Sequence, residues 1–170
     1  VDDVTFAFRC HTCGEMHEGM PSFGAEAPLA YYMVPERERS TRCSLGSDDC
    51  VVDNQYFFIR GCIEIPVEGE DETFVWGVWV SLSEASFREW ASTYDDDHRS
   101  QHGPYFGWLN TELSPYPDTV NLKTMAHLRD HGLRPLIELE PTDHPLAIEQ
   151  RRGITIDRVA EIYAHVMHRL

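Results

Sequence analysis

Lysine is nearly absent. Lys123 is the only one in the chain, and arginine supplies the other basic side chains. Positive charge is scarce as a whole, with 14 Lys and Arg against 29 Asp and Glu for a formal net charge of −15. That balance argues against nonspecific nucleic-acid binding, which needs a basic footprint, and against anionic membrane surfaces. No apolar run approaches the roughly 18 residues of a membrane-spanning helix, and no charged-then-apolar leader is expected. Also missing are a phosphate-cradling glycine loop, a G-x-S-x-G elbow and an H-E-x-x-H pair, so nucleotide hydrolysis, α/β-hydrolase chemistry and metalloprotease activity are disfavoured. Cysteines number five, an odd count that suits a disulfide framework poorly and a reducing cytoplasm better.

What the chain does have is chemistry near its amino end. Cys10-His11-Thr12-Cys13-Gly14 is a C-x-x-C-G knuckle. Such a turn directs two thiolates at one tetrahedral zinc, and the glycine admits the backbone conformation the turn needs. Two ligands need two more, and the candidates are His17, Cys43, Cys50 and, less favoured, Cys62. A thioredoxin-like dithiol would want a strand-to-helix context that the Gly- and Pro-rich surroundings lack. A thiolate-rich site points to structural rather than catalytic zinc.

The rest reads as one α+β domain over residues 1–170, a mostly antiparallel sheet with helices on one side. Residues 1–50 form a loop-rich zinc-knuckle segment packed on that sheet. Val4–Arg9 reads as a short strand, Pro35–Arg42 as one or two helical turns, and Ser44–Asp49 as a polar loop. Phe57–Val67 alternates with period two, placing Ile59, Ile63 and Ile65 on one face and Phe58, Arg60, Cys62 and Glu64 on the other. Phe74–Leu82 pairs with it as a hairpin, and Gly61 and Gly77 within these strands mark a bulge or a close backbone approach. Ser83 caps a helix to Tyr94. Tyr105–Leu109 is a short apolar segment, and Val120–Arg129 with Pro135–Glu140 forms a second hairpin turning at Asp130-His131-Gly132. A short helix over His144–Gln150 and an amphipathic helix over Ile156–Leu170 close the chain, with His165, His168 and Arg169 suited to its negative end.

A second candidate site lies on the polar face of the later hairpin. Lys123, His127 and Arg129 share parity and face Glu138 and Glu140, with Asp143 and His144 just beyond; Arg60 and Glu64 extend the surface. Such groups suffice for general acid–base work or for binding a small charged ligand. The simpler alternative is a solvated face whose cross-strand pairs contribute about 0.2–1 kcal/mol each. Core packing is the expected role of the tryptophans, with Trp79 the one best placed to reach a pocket. His11, His98, His102, His131, His165 and His168 are expected at the surface.

The blocks CHTCGEMHEGMP, DDCVVDNQYFFIRGCIEIPV, FVWGVWVSLSEASF, YFGWLN, YPDTVNLKTMAHLRD and RPLIELEPTDHPLAIEQRRGIT resemble, in order, the bacterial family catalogued as domain of unknown function 2199. The resemblance implies no particular activity. In that family's pattern the matching cysteines are Cys10, Cys13 and Cys50, with Cys43 and Cys62 as additions. It therefore implies a structural zinc held by Cys10, Cys13, His17 and Cys50, with Cys43 as the alternative fourth ligand. The function expected is a zinc-stabilised module that binds a protein or small molecule. The alternative is a small hydrolase or isomerase with His127 as acid/base, Lys123 holding an anionic group, and Glu138 and His144 beside them.

Overall fold

The computed structural model describes residues 6–168. The expected strand start at Val4 and helix end at Leu170 lie outside the described residues. The first strands are β1 Ala7–Arg9, β2 Met16–Glu18 and β3 Ser22–Gly24, followed by helices α1 Leu29–Met33 and α2 Arg39–Arg42. Next come β4 Cys43–Leu45, β5 Asp49–Val52, β6 Tyr56–Ile65, β7 Phe74–Leu82 and helix α3 Glu84–Ser92. The chain continues with β8 Tyr105–Leu109, β9 Lys123–His127, β10 Leu136–Leu139, α4 Pro145–Arg152 and α5 Ile156–His168.

Strands β6 and β7 pair antiparallel along their whole length, from Phe57 opposite Leu82 to Ile65 opposite Phe74. Period-two alternation puts Ile59, Ile63 and Ile65 of one strand and Phe74, Trp76, Val78 and Val80 of the other into one core. Each is essentially excluded from water, worth roughly 1.5–3 kcal/mol per large apolar side chain.

The expected one-sided sheet is corrected here. Strands β6 to β10 pair in order, and β10 returns to β6, so five strands close into a barrel. An odd number of up-and-down strands leaves the first and last running the same way, and the closing pair, Leu136 with Cys62, is accordingly parallel. Gly61 permits that closure. A Cβ at this position would lie 2.6 Å from the Ile137 Cδ1 and 2.8 Å from the Pro135 carbonyl oxygen. The backbone of Cys62 donates to that same carbonyl at 2.8 Å. The apolar segment Tyr105–Leu109 is the strand that links β7 to β9. Strand β3 lies parallel on β7, while β5 and β4 extend from the other edge of β6.

Other boundaries shift for local reasons. The expected loop at Ser44–Asp49 is a hairpin, with Cys43–Leu45 paired to Cys50–Val52. The left-handed Asn121 bends the chain before β9, so that strand is shorter than Val120–Arg129. Helix α5 buries Val159, Ala160, Ile162 and Ala164, while Ile156 and Met167 of the expected stripe stay exposed.

A second, smaller core sits outside the barrel wall. Val34, Cys50, Val52, Phe58 and Trp79 form it, with Ala25, Ala30, Tyr31 and Cys43 packed alongside. Trp79 is fully buried there and donates its indole N–H to the Ala25 carbonyl at 2.9 Å, so it reaches no pocket.

Candidate metal centre

The knuckle is a closed turn. The Gly14 N–H donates to the Cys10 carbonyl and the Cys10 N–H to the Glu15 carbonyl, each at 2.9 Å. Gly14 adopts φ +73°, a left-handed conformation that side chains other than glycine resist. The turn connects β1 to β2, which form a two-stranded sheet of their own with Phe8 opposite His17. Cys10 is buried and Cys13 exposed.

Two groups of donors converge on this turn. Cys10, Cys13 and His168 form one, and Cys13, Glu15 and His17 the other; within each, the donor atoms lie within 4.8 Å of one another. The two groups share Cys13, and either can hold a metal ion. His168 comes from the last turn of α5, and its Nε2 lies 3.4 Å from the Cys10 Sγ. The Nε2 of His17 lies 3.8 Å from the Cys13 Sγ. Metal–sulfur bonds of about 2.3 Å and metal–nitrogen bonds of about 2.0–2.1 Å set sulfur–nitrogen edges of roughly 3.5 Å in a tetrahedral zinc site. Both separations lie close to that edge.

The His17 ring is held from behind. It packs 4.5 Å from the Tyr163 ring and 5.5 Å from Phe8, centroid to centroid. The Tyr163 hydroxyl lies 3.3 Å from the His17 Nδ1, which leaves Nε2 facing Cys13. The Cys10 thiol is held down at about 6, chiefly by the Cys13 backbone N–H. The Thr12 N–H, the Cys13 side chain and His168 act in the same direction, and together they outweigh burial. A thiolate at neutral pH is the form that binds metal.

The other cysteines lie elsewhere. Cys50 is on the buried side of β5 in the second core, and burial pushes its thiol up to about 12. Cys43 is half-buried on the neighbouring strand, with its thiol also raised by burial. Neither belongs to a converging donor group among the described residues. Cys62 lies on the outer wall of the barrel, again with a thiol raised by burial. In place of the expected Cys50 or Cys43, the structure brings His168 to the knuckle, with Glu15 as a further donor.

The later hairpin scatters its candidates. Lys123 and Glu138 line a cleft of about 250 Å3 together with Phe106, Met125, Glu140 and Pro141. His127 is outside that lining, and its Nε2 lies 3.6 Å from the Glu138 carboxylate. His144 caps α4: its Nδ1 accepts from the Leu146 N–H at 3.1 Å, and its Nε2 lies 2.9 Å from the Asp118 carbonyl. Arg129 pairs with Glu64 at 2.8 Å. Sequence reasoning missed the exposed aromatic pair on this face, Phe106 and Trp108, whose rings meet edge-on at 5.1 Å. The alternation of Tyr105–Leu109 was the available signal, since it turns Phe106 and Trp108 away from the barrel core.

The model of a family described as an uncharacterized protein conserved in bacteria (DUF2199) matches residues 9–154. The chain belongs to this family. No curated protein and no solved structure matches it. The DUF2199 match takes in Cys10, Cys13, Glu15 and His17 and ends before Tyr163 and His168. Among the described residues, no helix is long and apolar enough to cross a membrane.

Proposed function

We propose that this DUF2199 protein is a binding module whose N-terminal turn and last helix are clipped together by one structural zinc ion. Cys10, Cys13, His17 and His168 are the ligands. The observation that carries this reading is that two donor trios share Cys13, one reaching His168 of α5 and the other His17 of β2, with Cys10–His168 and Cys13–His17 separations near a tetrahedral edge. A set of two thiolates and two imidazoles suits zinc, and four protein ligands leave no open position for catalysis. The clip has a mechanical purpose. The β1–β2 pair is a sheet of its own, joined to the main core through Phe8 and its packing on Tyr163, and a two-stranded hairpin is marginal in water without such support. The contact of its His11 with Asp157 of α5, at 3.0 Å, is exposed and contributes little.

The module's binding surface is the outer face of β8–β10, where Phe106 and Trp108 stand half-exposed beside Lys123, Glu138 and Glu140. A protein or small molecule that buries this aromatic pair is the expected partner. Thiolate ligands and five free cysteines suit a reducing cytoplasm.

Cobalt substitution tests the clip. Titrating metal-free protein with Co2+ is expected to give the thiolate charge-transfer and tetrahedral ligand-field bands of a mixed sulfur–nitrogen site, lost in Cys13→Ser and reduced in His168→Ala. An octahedral spectrum, or identical spectra in these variants, would contradict the assignment.

A further inference from the structure

Among the described residues, Arg60 is a shielded arginine with poorly satisfied donors. Arg60, on the outer face of β6, has a side chain only 14% exposed. Its guanidinium lies over the Trp79 ring at 5.8 Å from the centroid. Its Nε is buried with no hydrogen-bond partner. One terminal nitrogen makes a long 3.4 Å contact with the Ser47 carbonyl and lies 3.7 Å from the Glu26 carboxylate, whose side chain is 84% exposed. Other shielded arginines are better served. Arg99 donates to the Arg129 and Leu133 carbonyls, and Arg158 to Glu149 and Glu161. A desolvated guanidinium without a close acceptor is costly, and its five donors form a fork that matches carboxylate and phosphate oxygens.

Arg60 lines a recess of about 190 Å3, and Arg134 lines it as well. That volume equals about six waters of liquid, which suits a small ligand or the charged end of a larger one. Gly24, Gly77, Cys62 and Phe23 contribute to the walls, and no carboxylate does. In a chain of net charge −15, the lining of this recess holds two arginines and no acid, while Asp48 on Arg134 and Glu26 near Arg60 stand at its edge. Gly24 and Gly77 keep it open, because β3 and β7 meet here backbone to backbone: a Cβ on Gly77 would lie 3.2 Å from the Gly24 Cα. Arg134 is steadied through its Nε on Asp48 at 3.0 Å, with its terminal nitrogens left for a ligand.

We propose that this recess is a binding site for a small oxyanion, a carboxylate or a phosphate group, gripped between Arg60 and Arg134. Glu26 is the ligand's competitor: it hovers at the mouth and is displaced when the anion enters. The recess shares no residue with the metal clip or the aromatic face.

The test is a thermal-shift titration of the full chain with sodium phosphate and, separately, sodium succinate, each against sodium chloride at matched ionic strength. A saturable rise in Tm beyond that of chloride is expected with at least one of the two. Saturation by phosphate alone assigns a phosphate ligand, and saturation by succinate alone assigns a carboxylate. Arg60→Gln and Arg134→Gln each remove a charge-assisted hydrogen bond and weaken the apparent affinity about tenfold or more. Glu26→Gln strengthens it. If Arg60→Gln fails to fold, Arg134→Gln and Glu26→Gln still decide. Shifts no larger than those of chloride, or a saturable shift unchanged in Arg134→Gln and Glu26→Gln, would overturn the proposal.

Discussion

The Tyr163 hydroxyl lies 3.3 Å from the Nδ1 of His17, on the opposite side of the ring from Cys13. A metal on Nε2 would leave the proton on Nδ1, whose N–H would then donate a hydrogen bond to the tyrosine oxygen and fix both tautomer and ring orientation. Tyr163→Phe keeps the ring packing and removes the acceptor. Such outer partners are worth about 10- to 100-fold in metal affinity. A competition titration of the variant against a zinc chelator is expected to fall in that range, with the fold intact by circular dichroism. Unchanged affinity would show that the hydroxyl does not orient the ligand.

Closure of the barrel depends on the missing side chain at Gly61. Gly61→Ala places a methyl against the Ile137 side chain and the Pro135 carbonyl, and the carbonyl cannot swing away without opening the β6–β10 pair. Overpacking of this kind costs about 1–3 kcal/mol. Urea unfolding is expected to show a lower midpoint by that amount. A midpoint equal to wild type would mean that the strands are less tightly joined than described.

Asp48 ties three distant parts of the chain together. Burial would raise its pKa, but the Tyr94 hydroxyl at 2.8 Å and the Arg134 Nε at 3.0 Å, with Ser47, outweigh that and hold it below the usual carboxylate range. A carboxyl whose folded pKa is depressed stabilises the fold above its unfolded value of about 3.9, and that contribution is lost as pH falls through the folded pKa. Asp48→Asn is expected to cost about 1–3 kcal/mol at neutral pH and to flatten the acid limb of the stability profile. An acid limb identical to wild type would remove Asp48 from the account.

Trp108 is 42% exposed, against 2%, 0% and 3% for Trp76, Trp79 and Trp90. Acrylamide is therefore expected to quench one accessible fraction of the fluorescence, absent in Trp108→Phe. A partner seated on the β8–β10 face shields that fraction. Quenching that survives in Trp108→Phe would place the accessible indole elsewhere.

The sequence made some of this plain and hid the rest for physical reasons. Strands β6 and β7 were legible because their alternation runs for nine residues or more and one face is wholly apolar. Closure was not, since it rests on Gly61 admitting Pro135 and Ile137, contacts that no local pattern records. That Cys10, Cys13 and His17 lie close enough to share a site was legible from their spacing within one turn. His168 was not, because 158 residues separate it from Cys10 and a histidine at a helix end already has an electrostatic explanation. Cys50 lies in the second core, where a buried thiol serves as a small apolar side chain, and spacing alone does not tell that role from a ligand's. His144, a candidate acid or base, proved to be the cap of α4.

Metal analysis of the purified protein bears most directly on the clip. About one zinc per chain is expected in the wild type, as for a single four-ligand site. Cys10→Ser and His168→Ala are expected to lose most of it, while Cys50→Ser keeps it. Full zinc content in Cys10→Ser, or its loss in Cys50→Ser with the fold intact, would contradict the account.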